Sequence, residues 1–162
     1  MRVPTILLGA ALLCANHAPV TTPAQQFEQI RQLVGKWHVA ETDRLSISFV
    51  PTAADSVIVE RWETSAGLHS LTVYHMDGDE LVATHYCPQG NQPRLVSDGA
   101  EDEGAIRFAF RDATDLDPGE SFQHDLALAF NADGSVTRSE AYRGPEGQGE
   151  PSSYTLRRAA PD

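Results

Sequence analysis

Short runs of alternating apolar and polar residues, each closed by a turn signal, fill this chain from Lys36 onward and dictate a sheet. Leu45, Ile47 and Phe49 alternate with polar neighbours, as do Ile106, Phe108 and Phe110, and then Phe122, Leu126, Leu128 and Phe130. Successive side chains on a strand point to opposite faces, so each run buries one face and wets the other. The pattern predicts about ten strands, near 36–42, 45–51, 56–63, 68–76, 80–87, 93–98, 104–112, 121–131, 134–143 and 151–158. Glu101-Asp102-Glu103-Gly104, Asp117-Pro118-Gly119, Asn131-Ala132-Asp133-Gly134 and Gly144-Pro145-Glu146-Gly147 are compact polar breaks. Consecutive strands are therefore expected to be antiparallel neighbours in a meander. A meander this long removes its exposed edges by closing, and a barrel of roughly 8–10 strands encloses packed side chains or one small ligand. The fold class is all-β, with one short N-terminal helix predicted from Gln25 to Val34, where Phe27, Ile30, Leu33 and Val34 recur at helical spacing before Gly35.

The 162 residues fit one domain with a core large enough to dispense with disulfides. Met1-Arg2 is followed by an apolar run from Val3 to Ala15, and Thr22-Pro23-Ala24 offers small residues where a signal peptidase would cut. Residues 1–24 are expected to be a secretory signal and 25–162 the barrel domain, exported to the periplasm or the cell exterior. The apolar run falls short of the ~20 residues that span a bilayer. A lipid anchor on Cys14 is not expected, because Leu13 is bulky where lipoprotein signals place a small residue. Removal of the signal would leave Cys87 as a lone thiol, so the fold must rest on its core. The net charge of −11, with no run of Lys or Arg, argues against nucleic-acid partners.

Gly35-Lys36-Trp37 opens the first predicted strand directly after the helix. A helical lead-in to Gly-X-Trp resembles the opening of the lipocalins and their calycin relatives. The stretch Val73-Tyr74-His75-Met76-Asp77-Gly78-Asp79, then Thr84-His85-Tyr86-Cys87, then Gly90-Asn91-Gln92-Pro93-Arg94 is similar to one in a group of uncharacterised bacterial exported proteins. That resemblance spans residues 27–158 and implies a lipocalin-like barrel with a shared pocket, but no activity. The lipocalin likeness also implies an arginine against the Trp at the barrel floor, with Arg44 and Arg157 as candidates.

The chemistry is concentrated in the hairpin around Asp77-Gly78. With a three-residue turn from Asp77 to Asp79 and a bulge, His75 faces Leu81, Val73 faces Ala83, Leu71 faces His85 and His69 faces Cys87, all on one face. A two-residue Asp77-Gly78 loop would instead pair Tyr74 with Leu81 and split the apolar residues between faces, which disfavours it. His124 lies two and four places from Phe122, Leu126 and Leu128, so it is expected to point inward. His69, His85, His124 and Cys87 would then offer imidazole and thiolate ligands of the kind that hold zinc or haem iron. Against this, a histidine in an apolar stripe is more often a hydrogen-bonded pocket residue, and a buried cysteine a small hydrophobe. His75 would sit at the rim.

Gly90-Asn91-Gln92-Pro93-Arg94 reads in two ways. Its amides and guanidinium could grip a carboxylate or other polar head group, or a Pro-fixed turn could use them to cap neighbouring backbone, with Asp112 or Asp115 holding Arg94. No Gly-x-Ser-x-Gly elbow or phosphate loop is present, so catalysis is not the expected role. The sequence points to an exported binding protein that holds a small hydrophobic or amphipathic molecule, contacted by His69, His75, His85, Cys87, Asn91, Gln92, Arg94 and His124. The alternative is a metal- or haem-binding barrel using His85 with His69 or His124. No other cofactor is implied.

Overall fold

The computed structural model describes residues 21–97, 99 and 104–160. The expected signal up to residue 20, with Cys14, and the acidic turn at 101–103 lie outside the described residues. A helix, α1 (Pro23–Arg31), precedes β1 (Gly35–Val39), β2 (Thr42–Thr52), β3 (Val57–Thr64), β4 (Gly67–Asp77), β5 (Glu80–Tyr86) and β6 (Gln92–Ser97). Then follow β7 (Ala105–Thr114), β8 (Phe122–Phe130), β9 (Val136–Gly144), the two-residue β10 (Gly147–Gln148) and β11 (Ser152–Arg158). Each strand pairs antiparallel with its successor from β1 to β9, β9 pairs with β11, and β11 with β1. The result is a closed ten-stranded barrel, with β10 extending the edge beside β9. Among the described residues no helix is long and apolar enough to cross a membrane.

The helix begins earlier and ends earlier than its apolar spacing predicts. Thr22 caps it: its hydroxyl accepts from the Gln25 amide at 3.3 Å while its own amide donates to Gln25 Oε1 at 2.8 Å, and Pro23 follows at the first helical position. Cutting after Ala24 would remove this cap. Regular turns stop at Arg31 because the last amides tighten, Leu33 donating to Ile30 at 2.9 Å and Val34 to Arg31 at 3.3 Å. Phe27, Ile30 and Leu33 are buried against β4, β5 and the barrel core, whereas Val34 is exposed.

The floor forms where helix, first strand and last strand meet. Trp37 Nε1 donates to the Leu33 carbonyl at 2.7 Å. Arg158 crosses the Trp37 ring at 4.4 Å and donates to the carbonyls of Gln32 at 2.7 Å and Val34 at 2.9 Å. The arginine on the tryptophan is thus Arg158, not Arg44 or Arg157. Arg158 is the residue paired across from Trp37, while Arg157 points to the other face and meets Asp133 at 3.4 Å. Arg158→Ala is expected to lower the unfolding free energy by roughly 1–2 kcal/mol, through two lost hydrogen bonds and a ring contact. Arg157→Ala, which removes an exposed pair, is expected to cost under about 0.5 kcal/mol; urea titration of both variants checks the difference.

Candidate functional site

The hairpin register decides which side chains meet inside. Asp77 pairs with Glu80, so the loop is Gly78-Asp79 with a positive φ of 61° at Gly78 and none at Asp79, the pattern of a type II′ turn. Neither sequence-derived register holds. Arg111 accounts for the two acids standing opposite each other, lying 3.2 Å from Glu80 and 3.9 Å from Asp77. The pairs are Met76 with Leu81, Tyr74 with Ala83, and Thr72 with His85. Thr72, Tyr74, Leu81, Ala83 and His85 are buried, so His75 takes the opposite face, beside Val82, with Nδ1 3.1 Å from the Met76 carbonyl oxygen.

Two further bulges move histidines. His69 sits in the irregularity where Trp62 pairs with Ser70 but Glu63 with Leu68; it is exposed and lines the edge of a cavity. His124 stands in the bulge between Gln123 and Asp125 and has no partner on β9. This phase change ends the alternation that would have turned it inward. It stacks instead on Phe110 at 5.9 Å, with Phe122 at 6.1 Å, and its Nδ1 lies 3.1 Å from Asp125. His38 is exposed on β1. Among the described residues no group of three or more His, Cys, Asp or Glu side chains could hold a metal ion; His69 and His85 share the cavity and His124 does not line it.

The barrel centre is occupied by an ion network absent from the sequence-derived candidates. Glu60 on β3 and Arg138 on β9 are wholly buried and joined by Arg138 Nε to Glu60 Oε1 at 2.6 Å. Glu60 also accepts from Trp62 Nε1 and from the Tyr74 hydroxyl, each at 2.5 Å. Arg138 lies over the Trp62 ring at 4.5 Å and donates through Nη1 to Glu140 Oε2 at 2.7 Å. The same Glu140 oxygen receives Gln123 Nε2 at 2.9 Å. Arg138 Nη2 and Gln123 Oε1 are buried without a hydrogen-bond partner, so the network is dense but not saturated. The guanidinium holds the Glu140 carboxyl below its ordinary pKa against the opposing effect of burial, and the two acids hold Arg138 charged.

This network underlies a cavity of about 300 Å³. Trp62, Tyr142, Tyr154 and Leu45 form its apolar walls, Trp62 meeting Tyr154 edge-on at 5.1 Å. Glu140 and His85 reach it from the interior, and Arg44, Thr64, His69 and Pro88 also line it. His85 is buried, with Nδ1 3.0 Å from the Thr72 hydroxyl and Nε2 3.4 Å from that of Tyr142. Burial, then the nearby Arg138 charge, depresses its pKa to about 4, so the ring is neutral near pH 7.

The remaining sequence candidates are structural neighbours rather than cavity walls. Cys87 is a half-buried free thiol whose backbone brackets the turn to Gly90 and Asn91. Asn91 is buried and donates to the Ser121 carbonyl at 3.0 Å, tying this turn to the start of β8. Gln92 donates to the Gly90 carbonyl, and Arg94 pairs with Asp112 at 2.5 Å across β6 and β7. Of the two readings of Gly90-Asn91-Gln92-Pro93-Arg94, the backbone-capping turn describes these contacts. No protein-family model matches the chain, and a search of curated proteins finds no match.

Removing one member of the central pair leaves an uncompensated buried charge. Arg138→Met is expected to cost about 3–5 kcal/mol, and adding Glu60→Gln to it less than the sum of the single losses; urea denaturation of the three variants measures this. The depressed His85 pKa has a defined sign. Between pH 6.5 and 4 the unfolded imidazole binds a proton that the folded one refuses, so stability falls as pH falls through that window. His85→Gln is expected to flatten that slope, by up to about 3 kcal/mol across the window, in denaturation curves taken at successive pH values.

Proposed function

We propose that this protein is an exported, lipocalin-like binding protein that takes up a small amphipathic molecule in the cavity walled by Trp62, Tyr142 and Tyr154. The carrying observation is the cavity itself: about 300 Å³, with Trp62, Tyr142, Tyr154 and Leu45 as apolar walls among convergent polar groups. That is the usual composition of a small-molecule site, at its smaller end. The Trp37–Arg158 stack at the floor supports the kinship with calycins. An exported acidic domain with a removable leader suits a carrier or receptor outside the cytoplasm.

The polar recognition lies elsewhere than in Asn91, Gln92 and Arg94, whose side chains are engaged with the protein. Glu140 and His85 reach the cavity from the interior, and Thr64 and His69 stand with the exposed Arg44 at its edge. The neutral dye N-phenylnaphthylamine tests the reading. Saturable fluorescence enhancement, with quenching of Trp62 emission, is expected for the native protein and a loss of at least about tenfold in affinity for Thr64→Trp, which crowds the cavity edge. A linear, unsaturable response would remove the cavity as a ligand site.

A further inference from the structure

We propose that the ligand carries a cationic amine, seated against the free oxygen of Glu140 within the aromatic walls of the cavity. This rests on the cavity being the ligand site and names the chemistry it selects.

The charge balance beneath the cavity leads to this conclusion. Two carboxylates, Glu60 and Glu140, share one guanidinium, Arg138. His85, buried beside them, is held neutral by burial and by that guanidinium, and burial keeps the Tyr74 hydroxyl protonated. Among the described residues Arg138 is thus the one buried guanidinium facing two carboxylates. Glu60 is fully engaged, both of its oxygens accepting from Trp62, Tyr74 or Arg138. Glu140 is not: Oε2 accepts from Arg138 and Gln123, whereas Oε1 has no protein partner among the described residues. Its side chain is 14 % exposed and lines the cavity. A carboxylate kept ionised, mostly out of water and one oxygen short of donors, favours a charged donor over a neutral one.

The walls add a second selection. Trp62, Tyr142 and Tyr154 surround the same space, and aromatic faces attract cations through their quadrupole. Trp62 already carries the Arg138 guanidinium at 4.5 Å on its ring, the same interaction made within the protein. Tyr142, hydrogen-bonded toward His85, keeps its proton because burial and the Glu140 charge raise its pKa, so it adds an acceptor without another charge. Arg44 stands among the lining residues with no ion-pair partner, where it would favour an anion. The inference commits to the deep group, and an anionic probe provides the opposing outcome.

Three nearly isosteric probes separate the cases by calorimetric titration of the native protein: phenethylamine, phenethyl alcohol and phenylacetate. The amine is expected to bind about tenfold more tightly than the alcohol, with the acid weakest, as a charge-assisted hydrogen bond and a ring contact together predict. Glu140→Gln is expected to abolish the preference for amine over alcohol while leaving the alcohol affinity within about twofold. The comparison on the native protein stands even where that variant fails to fold. Equal affinities for amine and alcohol, or tightest binding of phenylacetate, would overturn the proposal. Failure of all three probes where N-phenylnaphthylamine still saturates would overturn amine recognition but leave the cavity reading intact. Failure of the dye as well would remove both.

Discussion

The buried contact between Glu60 and Arg138 organises the interior of this barrel. An ion pair with both side chains wholly out of solvent is tolerated only if the remaining donors and acceptors find partners. Trp62, Tyr74, Glu140 and Gln123 are held in place by that demand, because each bonds directly to one of the two charges or to an acid that does. The elements joined are far apart in sequence, β3 with β9, so the network ties strands on different parts of the barrel circumference. The cavity follows from it: a core of apolar side chains closes on itself, whereas a charged layer leaves Glu140 and the rings of Trp62 and Tyr142 facing the space beyond.

The two ends of the barrel consequently differ in chemistry. At the floor, Phe27 and Ile30 of the helix and Leu33 just after it join Trp37 and Phe49 in an apolar cluster, fastened by Arg158 across helix end, first strand and last strand. At the cavity, polar side chains replace apolar ones on the inward face of the same strands. On β4 the inward sequence passes from Tyr74 to Thr72 to Ser70, and on β5 from Leu81 and Ala83 to His85. Each step exchanges packing for hydrogen-bonding capacity, which favours binding over further core stability at that end.

Much of the site was present in the sequence in a form that pattern reading passes over. Glu60 lies in phase with Ile58 and Trp62, and Arg138 in phase with Val136, so charged residues stood in apolar stripes two residues from buried neighbours. That is the signal of an inward charge. The histidines and the cysteine carry ligand chemistry in their side chains, yet of these only His69 and His85 reach the cavity. His124 shows why: its place in the alternation of Phe122, Leu126 and Leu128 was correct on paper, but one extra residue in β8 reverses the phase locally.

Local physics, legible from the chain alone, determined the alternating strands, the antiparallel meander that closes into a barrel and the helix ahead of Gly35, since periodicity and turn residues act over a few positions. The residues of Gly90-Asn91-Gln92-Pro93-Arg94 similarly carried their turn chemistry in their own composition. Only the tertiary structure decided the partners. A two-residue loop of Gly78-Asp79 rather than a three-residue turn from Asp77 to Asp79 slides β5 by one residue against β4, and with a side-chain period of two that slide puts Thr72 and Tyr74, not Val73 and His75, on the face of Leu81, Ala83 and His85. In the observed register Arg111 of β7 lies beside Glu80, and across the barrel Arg138 of β9 meets Glu60 of β3. Those contacts are made between residues distant in sequence, and no local pattern records them.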